Sequence, residues 1–141
     1  MRFLGIDFGE RRIGLAVSDR RARIATPLEI VERVSDVQAI DEIIAVIERE
    51  DIGVLVIGEP LRLDGSRGDA AERIASFARK LGRATDLEIR FIDEALTSHA
   101  AAERVGADSP QLDAVAAQII LQEALDASAA GAPADPGEGE R

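Results

Sequence analysis

Apolar residues along this chain keep two different rhythms. Residues 2–8 and 12–19 are two strand-like apolar runs joined by Gly9-Glu10-Arg11-Arg12, a connection short enough for a hairpin. A third, shorter strand is expected over residues 23–31, interrupted by Pro27. Gly53-Val54-Leu55-Val56-Ile57 is continuously apolar, the mark of a strand covered on both faces. Residues 87–92 make a fifth strand that runs directly into Asp93 and Glu94. Between the strands the period lengthens. Val37, Ile40, Ile43, Ile44 and Ile47 predict a helix over 36–50. After a loop over 58–65, Ala70, Ile74, Phe77, Ala78 and Leu81 predict a second, with Gly82 expected as its C-terminal stop. A short helix is expected from Thr97 or Ser98 to Val105, and Ser109-Pro110 opens a last one reaching about Asp126. The order predicts an α/β domain: a mixed five-stranded sheet flanked by helices.

The chain has 141 residues, the size of one domain. Residues 1–126 carry all the periodic segments. Residues 127–141 are rich in Ala, Gly, Pro and acids, and read as a disordered acidic tail. No apolar run approaches the roughly 18–20 residues needed to cross a bilayer, and the N-terminus carries no secretory pattern. A cytoplasmic protein with no membrane contact is therefore expected. There is no cysteine, so a metal would be held by oxygen ligands or by the lone His99, for which surface exposure is the plainer expectation.

The formal net charge is −10, whereas nucleic-acid affinity rests mainly on neutralising phosphates. The basic residues are nevertheless clustered. Residues 1–23 hold six Arg against three acids, and residues 62–90 hold seven basic against five acidic groups. Charge argues against tight nonspecific binding without excluding a nuclease.

Four carboxylates call for explanation. Asp7 interrupts an apolar strand, where an ionised group is costly unless paired or metal-bound. Asp93 and Glu94 stand where a strand ends, the place where ligands gather in open α/β sheets. Asp113 begins the last helix on the face of Ala116, Ala117 and Ile120, and the two alanines would let that helix lie close to the sheet. Each acid also has an ordinary explanation, as a strand-end group or a first-turn acid favoured by the helix dipole. Converging, they would repel one another unless a divalent cation were bound. Oxygen ligands favour Mg²⁺ or Mn²⁺, and a pair of such ions about 3.5–4 Å apart suits in-line phosphodiester displacement.

Four segments add a resemblance. Residues 5–19, GIDFGERRIGLAVSD, resemble the opening motif of the YqgF (RuvX) family of Holliday-junction-resolvase-like proteins. Residues 56–66, VIGEPLRLDGS, 93–98, DEALTS, and 113–122, DAVAAQIILQ, resemble its other motifs, in the family's order. The resemblance implies a ribonuclease H-like fold and a metal-dependent nuclease acting on pre-rRNA, single-stranded DNA or branched DNA, as monomer or homodimer. Processing the 5′ end of pre-16S rRNA during ribosome biogenesis is the role it suggests. It carries over Asp7, Glu94 and Asp113 as the metal-binding catalytic acids, with Asp93 as a supporting neighbour. Arg11, Arg12, Arg62 and Arg67 are candidates for phosphate contact.

The chain departs from the family pattern at Ala95, where an arginine is usual, and at Glu59, where a leucine is. Residues 106–111 replace a longer basic loop. All three departures make the charge there less positive. Ala95 and the missing basic loop favour the alternative of a non-catalytic nucleic-acid-binding module in ribosome assembly or transcription, while retention of the three acids opposes it. A second alternative, the phosphate-binding hairpin of sugar kinases and actin-like ATPases, needs two lobes and more chain than this.

Overall fold

The structure, a computed structural model, describes residues 1–59, 68–93 and 112–131; the side chains of residues 112, 113 and 129–131 also lie outside the description. Strands β1 (Arg2–Phe8), β2 (Arg12–Ser18) and β3 (Ala25–Glu32) form a meander. Helix α1 (Asp36–Glu50), β4 (Ile52–Glu59), α2 (Asp69–Ala84), β5 (Glu88–Asp93) and α3 (Leu112–Gly131) follow. The sheet order is β3-β2-β1-β4-β5. The meander pairs antiparallel, and β1-β4 and β4-β5 pair parallel, so the sheet is mixed and five-stranded as expected.

β3 runs through Pro27 rather than stopping at it. Pro27 sits opposite Ala16 on an edge strand, beside a register shift between Leu15 and Ala16, where a missing N–H costs no ladder bond. Helix α1 begins at Ser35, whose hydroxyl accepts from the Gln38 N–H at 3.1 Å while Gln38 caps back onto the Ser35 N–H. Helix α2 does not end at Gly82. It continues to Ala84, and it buries Ala71 rather than Ala70. Helix α3 runs past Asp126 to Gly131. Of the loop expected over 58–65, Gly58 and Glu59 instead extend β4, and 60–65 lie outside the described residues, as does the expected helix over 97–105.

The sheet separates two cores. Leu4, Ile6, Leu15, Leu55 and Ile57 pack with α1 and α2, with Phe77 among them. Ala16, Ala25 and Val56 pack on the other face against Ala117, Ile120 and Leu121 of α3. Among the described residues no helix is long and apolar enough to cross a membrane.

Candidate active site

Alternation along β1 decides where Asp7 points. Leu4, Ile6 and Phe8 belong to the core under α1 and α2, so Phe3, Gly5 and Asp7 take the α3 face. Asp7 is half-buried near the C-terminal end of the strand, paired with Gly14 of β2. On its other side Gly58 follows Ile57, the partner of Ile6. The strand positions beside Asp7 are thus both glycines, Gly14 and Gly58.

The direction of α3 follows from two glutamines. Gln122 Nε2 donates to the Arg23 carbonyl at 2.8 Å, and its Oε1 accepts from the Ala25 N–H at 2.9 Å. Gln118 Nε2 donates to the Ala25 carbonyl at 3.1 Å. As numbering rises from Arg23 toward Ala25, the helix partner moves back from 122 to 118, so α3 runs antiparallel to β3. β3 is parallel to β1, each being antiparallel to β2. Ala117 and Leu121 cover Gly5, where a Cβ would stand 2.9 Å from the Ala117 carbonyl oxygen. One helical turn before Ala117 is position 113, a rise of about 6 Å. Two strand residues beyond Gly5 is Asp7, an advance of about 6.6 Å. The backbone at 113 and Asp7 thus advance toward the same end of the sheet, on the same face.

Alternation along β5 assigns a face to Asp93. The Arg90 guanidinium lies 5.4 Å from the centroid of the Phe3 ring, and Ile92 packs with the α3 core. Ile89 packs with the opposite core. Phe91 and Asp93 share the parity of Ile89, so Asp93 falls on the face away from Asp7. There it stands in register with Glu59, which is buried and shares the parity of Leu55 and Ile57. The side chain of Asp93 therefore takes the face away from Asp7, the face on which Glu59 is buried.

Among the other predicted residues, Arg11 and Arg12 are exposed at the β1-β2 hairpin. Glu94, Arg62, Arg67 and His99 lie outside the described residues, and of Asp113 only the backbone is described. Among the described residues no group of three His, Asp or Glu side chains could hold a metal ion.

Sequence reasoning passed over a second feature. A cavity of about 420 Å³ opens beneath the same strand end, lined by Phe8, Glu10, Arg11, Arg33 and Arg73, with Asp36 at its wall. Arg33 lies 5.3 Å over the Phe8 ring and bonds Asp36 and the Glu10 carbonyl. The Lys80 ammonium, first, and then the Arg33 guanidinium hold the Asp36 carboxyl below its ordinary value. Periodicity could not find this group, because its members come from separate elements.

The Ser18-Asp19 end of the opening motif does different work. Asp19 Oδ1 accepts from the Arg23 and Ile24 N–H groups at 2.8 and 3.0 Å. Those backbone bonds, Ile24 first, lower its carboxyl from the ordinary value. Asp19 organises a turn at the far end of the sheet from Asp7.

A mixed sheet in this order, with an acid of the central strand under the last helix, is the ribonuclease H-like fold. The structure superposes on T. thermophilus RuvC in complex with Holliday junction substrate with a TM-score of 0.59 at 18% identity, covering 93% of this chain and 97% of that one. The fowlpox virus Holliday junction resolvase gives 0.56 at 12% identity, covering 90% of this chain and 99% of that one. At such identities the likeness concerns the fold alone. Residues 1–127 match the RuvX family, described as Holliday junction resolvase, and the chain belongs to that family. It is 43% identical over 131 residues to a protein of Ruegeria sp. (strain TM1040) named "Putative pre-16S rRNA nuclease", covering 87% of this chain and 83% of that one. A Chloroflexus aurantiacus protein of the same name is 40% identical, covering 88% and 86%.

Proposed function

We propose that this chain is a divalent-metal-dependent nuclease of the cytoplasm that hydrolyses phosphodiester bonds of RNA or DNA, with pre-16S rRNA as its physiological substrate. The supporting observation is the shared face: Asp7 stands on the side of β1 covered by α3, and α3 approaches that strand end with its N-terminal turn. Glu94 follows Asp93, the last residue of β5, directly in the chain. Asp113 begins the helix that covers Asp7's face. Names carried by relatives support the nucleic-acid substrate.

The available groups fit a hard cation. Every expected donor is a carboxylate oxygen, the ligand type a hard cation prefers, and the strand positions beside Asp7 are glycines. Asp7, Glu94 and Asp113 would hold Mg²⁺ or Mn²⁺, which when bound neutralises phosphate charge and lowers the pKa of attacking water. The protein's part is to fix the carboxylates on a rigid strand and a tightly seated helix, so that the substrate phosphate is oriented rather than merely attracted.

The test is cleavage of labelled RNA, single-stranded DNA and branched DNA with Mg²⁺ or Mn²⁺. Asp7→Asn, Glu94→Gln and Asp113→Asn should each lose orders of magnitude of rate with an unchanged circular dichroism spectrum. Full activity of Glu94→Gln alongside loss in Asp93→Asn would reverse the assignment of that pair. Binding without cleavage under every metal condition would leave the non-catalytic binding module as the reading.

A further inference from the structure

Asp7 and Phe8 are consecutive residues of β1 whose side chains take opposite faces of the sheet. The α3 face holds the carboxylate proposed for catalysis. The other face opens into the cavity lined by Phe8, Arg11, Arg33 and Arg73. We infer that this cavity seats a phosphate of the same polynucleotide strand, a neighbour of the phosphate at Asp7, as the strand crosses the C-terminal end of β1. The inference rests on the nuclease reading for what happens at Asp7, but the binding site stands on its own geometry.

The charges of the cavity decide what it can take. Arg33 is spent on structure: its Nε bonds Asp36 at 2.9 Å, its Nη1 bonds the Glu10 carbonyl at 2.7 Å, and it stacks on Phe8. Asp36 is in turn neutralised by Lys80 at 2.7 Å. This interlocked set makes a rigid floor with no net negative charge. Above it Arg11 is exposed, and its side chain has no hydrogen bond or ion pair among the described residues. Arg73 meets Glu10 at 3.2 Å, in a pair whose side chains are 52% and 72% exposed. A pair so exposed is worth little, so a phosphate can take Arg73 from Glu10 at small expense. Two arginines from the hairpin and α2 can then offer N–H forks to one phosphate, while the ring-and-guanidinium floor excludes water beneath it. In a chain of net charge −10 this is a local positive site beside the strand end, not a diffuse basic surface.

Glu10 gives the inference a sign that general basicity lacks. Asp36 is held by both Arg33 and Lys80, whereas the Glu10 carboxylate meets only the exposed Arg73 among the described residues and competes with phosphate for it. Arg73→Gln and Arg11→Gln should each weaken binding of a fluorescent single-stranded RNA several-fold, measured in EDTA so that nothing is cut. Each should also reduce the magnitude of the salt slope by about 0.7 for the lost phosphate contact. Glu10→Gln should tighten binding, with the slope unchanged or steeper. Arg79→Gln, an exposed arginine of α2 outside this cavity, is the control and should change neither. Unchanged affinity and slope in both cavity arginine variants, or an equal effect from Arg79→Gln, would overturn the inference. Millimolar inorganic phosphate is the second arm. If it raises the melting temperature of wild type but not of Arg73→Gln, while RNA affinity is the same for both, the cavity takes free phosphate and the strand assignment is wrong. Cleavage plays no part in these readouts. An inactive protein that still meets them loses the nuclease reading and keeps this site.

Discussion

Gly5 of β1 and Ala117 of α3 approach so closely that a Cβ at position 5 would stand 2.9 Å from the Ala117 carbonyl oxygen and 2.7 Å from the Leu121 Cβ. The first of these is a collision with helix backbone, which cannot rotate away as a side-chain end can. Gly5→Ala should therefore push α3 off the sheet and destabilise the domain by roughly 1–3 kcal/mol, as overpacking does. Urea denaturation at neutral pH measures it. Because the same helix carries Asp113, catalytic rate should fall by more than the folded fraction accounts for. A fully stable Gly5→Ala protein would mean that α3 rides higher than described.

Gln122 ties α3 to the start of β3 through the Ala25 N–H and the Arg23 carbonyl. Gln122→Ala strips partners from these backbone groups, a loss worth about 1–3 kcal/mol for each that is buried. We expect a lower urea midpoint with an unchanged m-value. A loss confined to a few tenths of a kcal/mol would show that water replaces the amide freely.

Asp36 makes stability depend on acid pH in a defined window. Its carboxyl is held below the ordinary value of 3.8 by Lys80 and then Arg33, so the unfolded chain binds more protons than the folded one as pH falls. The stabilisation is whole above 3.8 and is lost as pH drops through the lower folded value. Asp36→Asn should cost on the order of 1 kcal/mol or less at neutral pH. The gap between variant and wild type should close below pH 3.8 in a melting series. A gap that is independent of pH would trace the loss to packing instead of charge.

Convergence of the three acids is open to a stability test independent of catalysis. In EDTA the wild type would hold like charges together, and Asp113→Asn would relieve that repulsion. Loss of the helix-dipole benefit, about 0.3–1 kcal/mol, opposes it, so a higher melting temperature in the variant requires the repulsion to outweigh that loss. Several millimolar Mn²⁺ should reverse or close the order, since only wild type keeps every ligand. Equal Mn²⁺ shifts in both proteins, with no gain for the variant in EDTA, would mean three unrelated acids.

Local pattern carried most of the elements. The period of Ile40, Ile43 and Ile47 marked α1 to its ends, and the run at 53–57 marked a strand with both faces covered, because burial of one stripe or two faces is written directly into residue spacing. Asp7 stood out for the same reason, as a charge inside an apolar run. Where only neighbouring residues mattered, the chain alone was enough. The boundaries that went astray turned on hydrogen bonding and on a strand's place in the sheet, neither of which apolar periodicity records. Gly82 reads as a stop, yet α2 continues because its apolar stripe reaches Leu81 and Thr85 supplies the end, its N–H donating to the Leu81 carbonyl. Pro27 reads as an interruption, yet β3 tolerates it because it lies on an edge. Asp93 and Glu94 are equivalent as letters. The Arg90–Phe3 contact and the packing of Ile89 and Ile92, which assign faces to β5, separate Asp93 from the face of Asp7. The cavity of Arg11, Arg33 and Arg73 was invisible beforehand, since a hairpin, the end of a strand and the middle of a helix become neighbours only when the sheet is covered. Periodicity is a one-dimensional record of burial, and it holds no information about which distant charge will stand across a pocket; that was decided by tertiary packing.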